Sequence, residues 1–184
     1  MIDLRKFCSR EDTRYYIQKP FSRGEWTYAT DGHIMIRVPR REDVPEFSDL
    51  PEAAAKVHAK VGDIFSQYPL STAVTLAPID FPEQLDEECL GCDGRGFEHD
   101  CPSCTCTCDR CDGSGKEDPD KDVSVDIGGV PFAARYVRLI QALPGIEVSA
   151  TIDGNIPMPF RFNGGEGLLM ALREPHVSHI KAKS

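Results

Sequence analysis

The chain has 184 residues, 40% of them hydrophobic and 8% aromatic, enough to bury one sizeable core and too few to expect several. Its formal net charge is −9, but the acidity is local: residues 86–120 hold 11 acidic and three basic side chains, the remainder 19 and 18, so overall charge excludes no partner for the larger part. No run approaches the roughly 20 apolar residues of a membrane helix, and the charged opening MIDLRKFCSREDTRYY lacks the apolar centre of a signal peptide; the expectation is a cytoplasmic protein with no membrane partner.

In chain order, RYYIQKPFSRGEWTYATDGHIMIRVPRR (14–41) reads as two or three short strands, broken at Lys19-Pro20, Ser22-Arg23-Gly24 and Asp31-Gly32. The Asp-Gly step between two apolar runs is a tight-turn signal. Pro51 then opens a stretch of helical period, predicting a helix from about Glu52 to Ser66, and STAVTLAPID (71–80) reads as a strand. After a cysteine-rich stretch, VSVDIGG (123–129) alternates strictly, predicting a strand with one buried and one open face. PFAARYVRLIQALPG has the helical period and stops at Pro144-Gly145. Three strands are expected at Gly145–Ile152, Ile156–Phe162 and Gly167–Arg173, and a tail without structure from Glu174 to Ser184. The layout resembles a rough internal duplication of a β-α-β unit.

Seven of the eight cysteines, Cys89, Cys92, Cys101, Cys104, Cys106, Cys108 and Cys111, lie in one short stretch. A disulfide framework would scatter them, so the clustering points to metal. The two outer pairs, CLGCDGRG from Cys89 and CDRCDGSG from Cys108, share the form CxxCxGxG. Two residues between cysteines let a turn aim both sulfurs at one ion, and the glycines let the backbone wrap the thiolates and donate N–H bonds to sulfur. Cys89, Cys92, Cys108 and Cys111 are therefore the expected ligands of one structural zinc. Two alternatives stay open: a second, nested zinc on Cys101, Cys104, Cys106 and His99, and a site pairing Cys89 and Cys92 with Cys101 and Cys104.

These motifs resemble the cysteine-rich domain of DnaJ-type chaperones, which carries four CxxCxGxG motifs and binds two zincs. The resemblance covers about 30 residues, and the chain has two full motifs, no J domain and no His-Pro-Asp tripeptide. It implies the zinc chemistry and a capacity to bind protein segments. A tetrathiolate zinc carries a formal −2, which makes this stretch strongly anionic, repelling phosphate backbones and suiting a protein partner.

Elsewhere WTYATDGHIMIRVP (26–39) resembles the ATDGHRL element of bacterial β sliding clamps, the ring-shaped processivity factors of replicative DNA polymerase. IGGVPFAARYVRLIQALPGIEV (127–148) resembles the strand-to-helix passage of the clamp's last domain, and PMPFRFNGGEGLLMALR (157–173) its closing strands. The resemblance implies an α+β, sliding-clamp-like domain of antiparallel sheets with two helices, formed by residues 1–84 and 121–175. It would be interrupted by a zinc-binding insert at 85–120 and followed by a flexible tail at 176–184. A clamp carries three such domains in one chain, so a ring here would need a homo-oligomer.

In clamps the helices face DNA. Here Lys56 and Lys60, with His58 nearby, and Arg135 and Arg138 form small basic stripes, which would give sequence-independent contacts to duplex DNA or be ordinary solvated faces. Asp31 and His33 fit backbone capping in a tight turn better than a catalytic pair, and no hydrolase, nucleotide-binding or metalloprotease motif is present. Trp26 reads as a packed strand residue. The expectation is a non-enzymatic accessory in DNA replication or processing, of phage or other mobile-element origin, whose zinc insert recruits a protein. The alternative is a chaperone-like or regulatory zinc protein that binds polypeptides without contacting DNA.

Overall fold

The computed structural model describes residues 2–9, 17–46, 55, 59–81, 83, 87–97, 108, 110, 111, 113–175 and 178–181. Among these the chain runs through a 3-10 turn, Leu4–Phe7, then β1 (Phe21–Arg23), β2 (Trp26–Thr30), β3 (Ile34–Pro39), α1 (Val61–Gln67) and β4 (Ala73–Thr75). It continues through β5 (Val123–Ile127), β6 (Val130–Ala133), α2 (Ala134–Gln141), β7 (Glu147–Ser149), β8 (Met158–Phe162), β9 (Gly165–Leu169) and β10 (Ser178–Lys181). The architecture is mixed α+β and mostly antiparallel. None of the described helices is long and apolar enough to cross a membrane.

Seven strands form one sheet in the order β1-β2-β3-β9-β8-β7-β4, and three form a second, β10-β5-β6. The larger sheet is antiparallel throughout, and tight hairpins join β1 to β2, β2 to β3 and β8 to β9. Thr30 and Asp31 close the β2–β3 turn: the Asp31 carboxylate accepts from the His33 and Ile34 N–H groups at 2.8 and 3.0 Å. The first and last thirds of the chain meet at its centre, where Ile34 lies opposite Leu169 and Ile36 opposite Gly167.

Alternation along the central strands sorts the side chains into two cores. Ile34, Ile36 and Val38 of β3, Met158, Phe160 and Phe162 of β8 and Leu169 of β9 face one side, where they join Val125, Phe132, Val137 and Ile140 from the small sheet and α2. Phe160 is accommodated because β9 offers a glycine beneath its ring: a Cβ on Gly167 would come within 2.1 Å of the Phe160 Cζ. The opposite face carries Tyr28 and Leu168, covered by Val61 and Phe65 of α1.

Several features differ from the sequence reading. Pro131–Ala133, expected to begin the helix, continue β6, since the β-region backbone of Ala133 caps α2. The strand VSVDI is not open on one face: Ser124 is fully buried and Asp126 half-buried on the side expected to face solvent. The tail is not wholly without structure, as Ser178–Lys181 pair in parallel with β5. Finally, β4 spans only Ala73–Thr75 of the expected 71–80. The described helical turns of α1 lie at Val61–Gln67, and most of the earlier part of the expected helix, including Lys56 and His58, falls outside the described residues. The two expected β-α-β halves are not separate units, because β4 joins β7 and β3 joins β9 in a single sheet.

Candidate metal centre

Between β4 and β5 the chain forms a small knob closed by its own backbone. The Glu117 N–H bonds the Glu87 carbonyl at 3.0 Å, Glu88 and Lys116 form an antiparallel bridge, and the Cys89 N–H bonds the Gly115 carbonyl at 2.9 Å. Among the described residues its interior holds four side chains, all buried: Cys89, Cys92, Cys108 and Cys111.

The two CxxCxGxG motifs are related by an approximate two-fold arrangement. The Cys89 N–H reaches Gly115 O, and the equivalent Cys108 N–H reaches Gly96 O at 3.0 Å. The Gly96 N–H donates to Cys92 Sγ at 3.2 Å, and the Gly115 N–H to Cys111 Sγ at 3.3 Å. The requirement for glycine is reciprocal. Gly96 and Gly115 have φ of +80° and +71°, and a Cβ on Gly96 would lie 2.4 Å from the Gly113 carbonyl oxygen, one on Gly115 2.3 Å from that of Gly94. The strands of the knob cross with no room for a side chain.

This crossing brings the four Sγ atoms within 4.8 Å of one another, with Cys89–Cys108 at 3.9 Å and Cys92–Cys111 at 3.7 Å. A disulfide needs about 2.05 Å; a tetrahedron with metal–sulfur bonds of about 2.3 Å has edges near 3.8 Å. The separations fit four thiolates around one ion of zinc's size and leave no coordination position open. The donor set is soft and suits zinc.

Electrostatics in the knob are uneven. Burial pushes the Cys89 thiol up to about 11. Burial would also raise Cys111, but the Gly115 N–H and the neighbouring Cys89, Cys92 and Cys108 sulfurs hold it down to about 7. Arg110, next to Cys111, is fixed by Glu117 at 2.9 Å. The carboxylate of Glu117 also accepts from the Leu90 N–H, which holds it below the usual carboxylate range. Leu90, between the first two cysteines, is 77% exposed.

The structure thus brings together the outer four cysteines expected as ligands. Cys101, Cys104, Cys106 and His99, the alternative set, lie outside the described residues. On the framework, Lys60 is exposed at the start of α1. Arg135 stacks on the Tyr136 ring at 4.9 Å. Arg138 is not presented to solvent as a stripe residue: it is engaged with Asp120 and stacked on Phe81. Asp31 does cap its turn, and its second oxygen accepts from the Tyr136 hydroxyl at 2.7 Å; His33 stacks on the same ring. Trp26 packs in the second core, with the Arg37 guanidinium 4.5 Å from its ring.

Asp120 and Gln141 are the contributors that sequence reasoning missed. Their partners lie 18 and 62 residues away, and no local pattern marks such a pairing. The repetition of the cysteine motif after 19 residues, by contrast, is a local signal, and it places all four buried cysteines of the described knob. Neither a family model nor a curated protein nor a solved structure matches this chain.

Proposed function

We propose that this chain is a non-enzymatic zinc protein in which Cys89, Cys92, Cys108 and Cys111 hold one structural zinc, and the metal shapes a knob that contacts a protein partner. The observation that carries the reading is the convergence of four buried Sγ atoms, two pairs at 3.7 and 3.9 Å. Four protein ligands leave no site for water or substrate, which argues for a structural rather than a catalytic metal. The N–H bonds to Cys92 and Cys111 resemble the outer-shell support that orients metal ligands. A role in recognition is supported by the exposed Leu90 on a strongly acidic stretch. The test is elemental analysis of the purified full chain with cobalt substitution: one zinc per chain and the intense sulfur-to-cobalt absorption of a tetrahedral thiolate site are expected. A protein that binds no divalent metal, or whose Cys92→Ser variant binds it as tightly, would sink the reading.

A second reading, that the framework is of the sliding-clamp type and serves DNA replication or processing, is favoured by one observation. The two stretches that resemble clamp motifs, 26–39 and 157–173, pair strand to strand through β3 and β9. Against a phosphate-facing α2 stands the engagement of Arg138 by Asp120. Retention on duplex DNA that weakens with salt and with Arg135→Ala and Lys60→Ala would support this reading; no retention at low salt would remove it.

A further inference from the structure

One face of α2 holds both ends of the cysteine knob. On the entering side, Gln141 grips the backbone of Ile79 twice: its Oε1 accepts from the Ile79 N–H at 2.8 Å, and its Nε2 donates to the Ile79 carbonyl at 3.0 Å. Two residues further on, the Phe81 ring lies 4.5 Å from the Arg138 guanidinium carbon. On the leaving side the same guanidinium donates to both oxygens of Asp120, through Nε and, at 2.7 Å, through Nη2. The Asp120 side chain has no exposed surface. Asp120 is tied in turn to the first residue of β5, since its carbonyl accepts from the Val123 N–H at 3.2 Å.

Residues three apart share a helix face, so Arg138 and Gln141 act side by side while Val137 and Ile140 are buried in the framework core. The arrangement requires both stems at one separation, and that separation is set beyond the clasp, where the Glu87 and Glu117 backbones close the knob. Parting a buried carboxylate such as Asp120 from its cation is strongly destabilising, because the charge is left uncompensated. Opening the knob lets the stems part and removes the geometry in which a single guanidinium can serve both.

We infer that Arg138 and Gln141 form a clasp that makes the metal-bound knob and the framework one cooperative unit, with Arg138 as the positioning residue. The inference rests on the zinc reading above. It assigns to the face of α2 the task of transmitting the metal state of the knob to the sheets, so that metal loss is felt across the molecule.

The chain contains one tryptophan, Trp26, which sits in the framework, so its fluorescence reports framework unfolding. Sulfur-to-cobalt absorption reports the knob. In the unaltered protein the cobalt-loaded and chelated forms should differ in Trp26 melting temperature by about 5–10 °C, with both signals lost together when cobalt is bound. In the double variant Arg138→Ala, Gln141→Ala, cobalt should still bind, the difference should fall to about 2–4 °C from loop shortening alone, and the two transitions should separate. Arg138→Lys, which keeps the charge without the two-pronged geometry, should lie between and serves if the double variant fails to fold. A purely local stabilising role would lower both melting temperatures and leave their difference intact. An undiminished difference in the variants, or separate transitions in the unaltered protein, would overturn the clasp. Failure of the unaltered protein to bind cobalt would overturn the metal reading, and the coupling with it.

Discussion

The knob and the framework are held together by different means. The framework buries Phe132, Phe160, Ile34, Ile36, Ile140, Met158 and Leu169 almost completely, and each such side chain contributes about 1.5–3 kcal/mol by leaving water. The described part of the knob buries four cysteines and no larger apolar side chain. A region this small cannot enclose an oily core, and the four sulfurs alone supply little: a thiolate at Cys111 beside Cys89 and Cys92 is neither well hydrated nor neutralised. The difference shows where a ligand is needed. The framework's sequence contains its own stabilisation, and the knob's sequence contains a site for something that supplies it.

The sharpest way to break this comparison is to remove one sulfur. Cys92→Ser should weaken metal binding strongly, because it removes one of four ligands from a site whose whole apparent binding energy is on the order of 10 kcal/mol. It should expose the knob to proteolysis while the sheets keep their circular dichroism at room temperature. The complementary change, Phe160→Ala, should cost the framework about 3–5 kcal/mol, read by denaturant unfolding of Trp26, while the folded variant still binds cobalt with unchanged absorption. If Phe160→Ala altered the cobalt spectrum, the two regions would not be built independently at their centres.

A glycine substitution sharpens the comparison further. Gly115→Ala forces a left-handed backbone on alanine and drives its Cβ against the Gly94 carbonyl. The strain alone is worth about 1–3 kcal/mol, and its effect should appear in metal affinity, by competition with a chromogenic chelator, with little change in the melting of the metal-free framework. An unchanged affinity would mean that the crossing of the two motifs is looser than its geometry.

What could be read from the sequence follows the same division. The knob was legible because its determinants are local: a cysteine pair two residues apart and two glycines, repeated once, specify a site without reference to the rest of the chain. The hairpins were legible for the same reason, Asp31-Gly32 and Asn163-Gly164 being turn signals that do not depend on context. What was missed is non-local. The alternation in VSVDI foretold an open face, but Ser124 on that face is fully buried, and the pairing of residues 178–181 along β5 has no local signal either. Arg138 looked like part of a basic stripe because its partner, Asp120, lies at the far end of the cysteine stretch. Pro131 and Phe132 carried the helical period, yet the backbone of Ala133 stays extended because Phe132 pairs with Val125 before the helix begins. Burial, pairing and long-range charge are properties of the assembled sheet, and one chain's periodicity does not encode them.

The smallest expected effect sits on the outer face of the large sheet, where strand register places Arg37, Glu166, Arg161 and Glu147 side by side across β3, β9, β8 and β7. The two arginines are chemically alike and differ in surroundings. Arg37 has 16% of its side chain exposed and lies between the rings of Trp26 and Phe65, at 4.5 and 4.2 Å, while its Nε donates to Glu166 at 2.7 Å. Arg161 pairs with Glu147 at a side-chain exposure of 56%. Solvent and salt screen the second pair, so Arg161→Ala should change stability by less than about 1 kcal/mol. Arg37→Ala removes a stacked cation from under α1 and should cost about 2 kcal/mol, with a shift in Trp26 emission that Arg161→Ala does not produce. Added salt should narrow the gap between the unaltered protein and Arg161→Ala while leaving the Arg37→Ala deficit in place. Equal costs for the two would mean that α1 does not shield Arg37, and the second core would then depend on its apolar contacts alone.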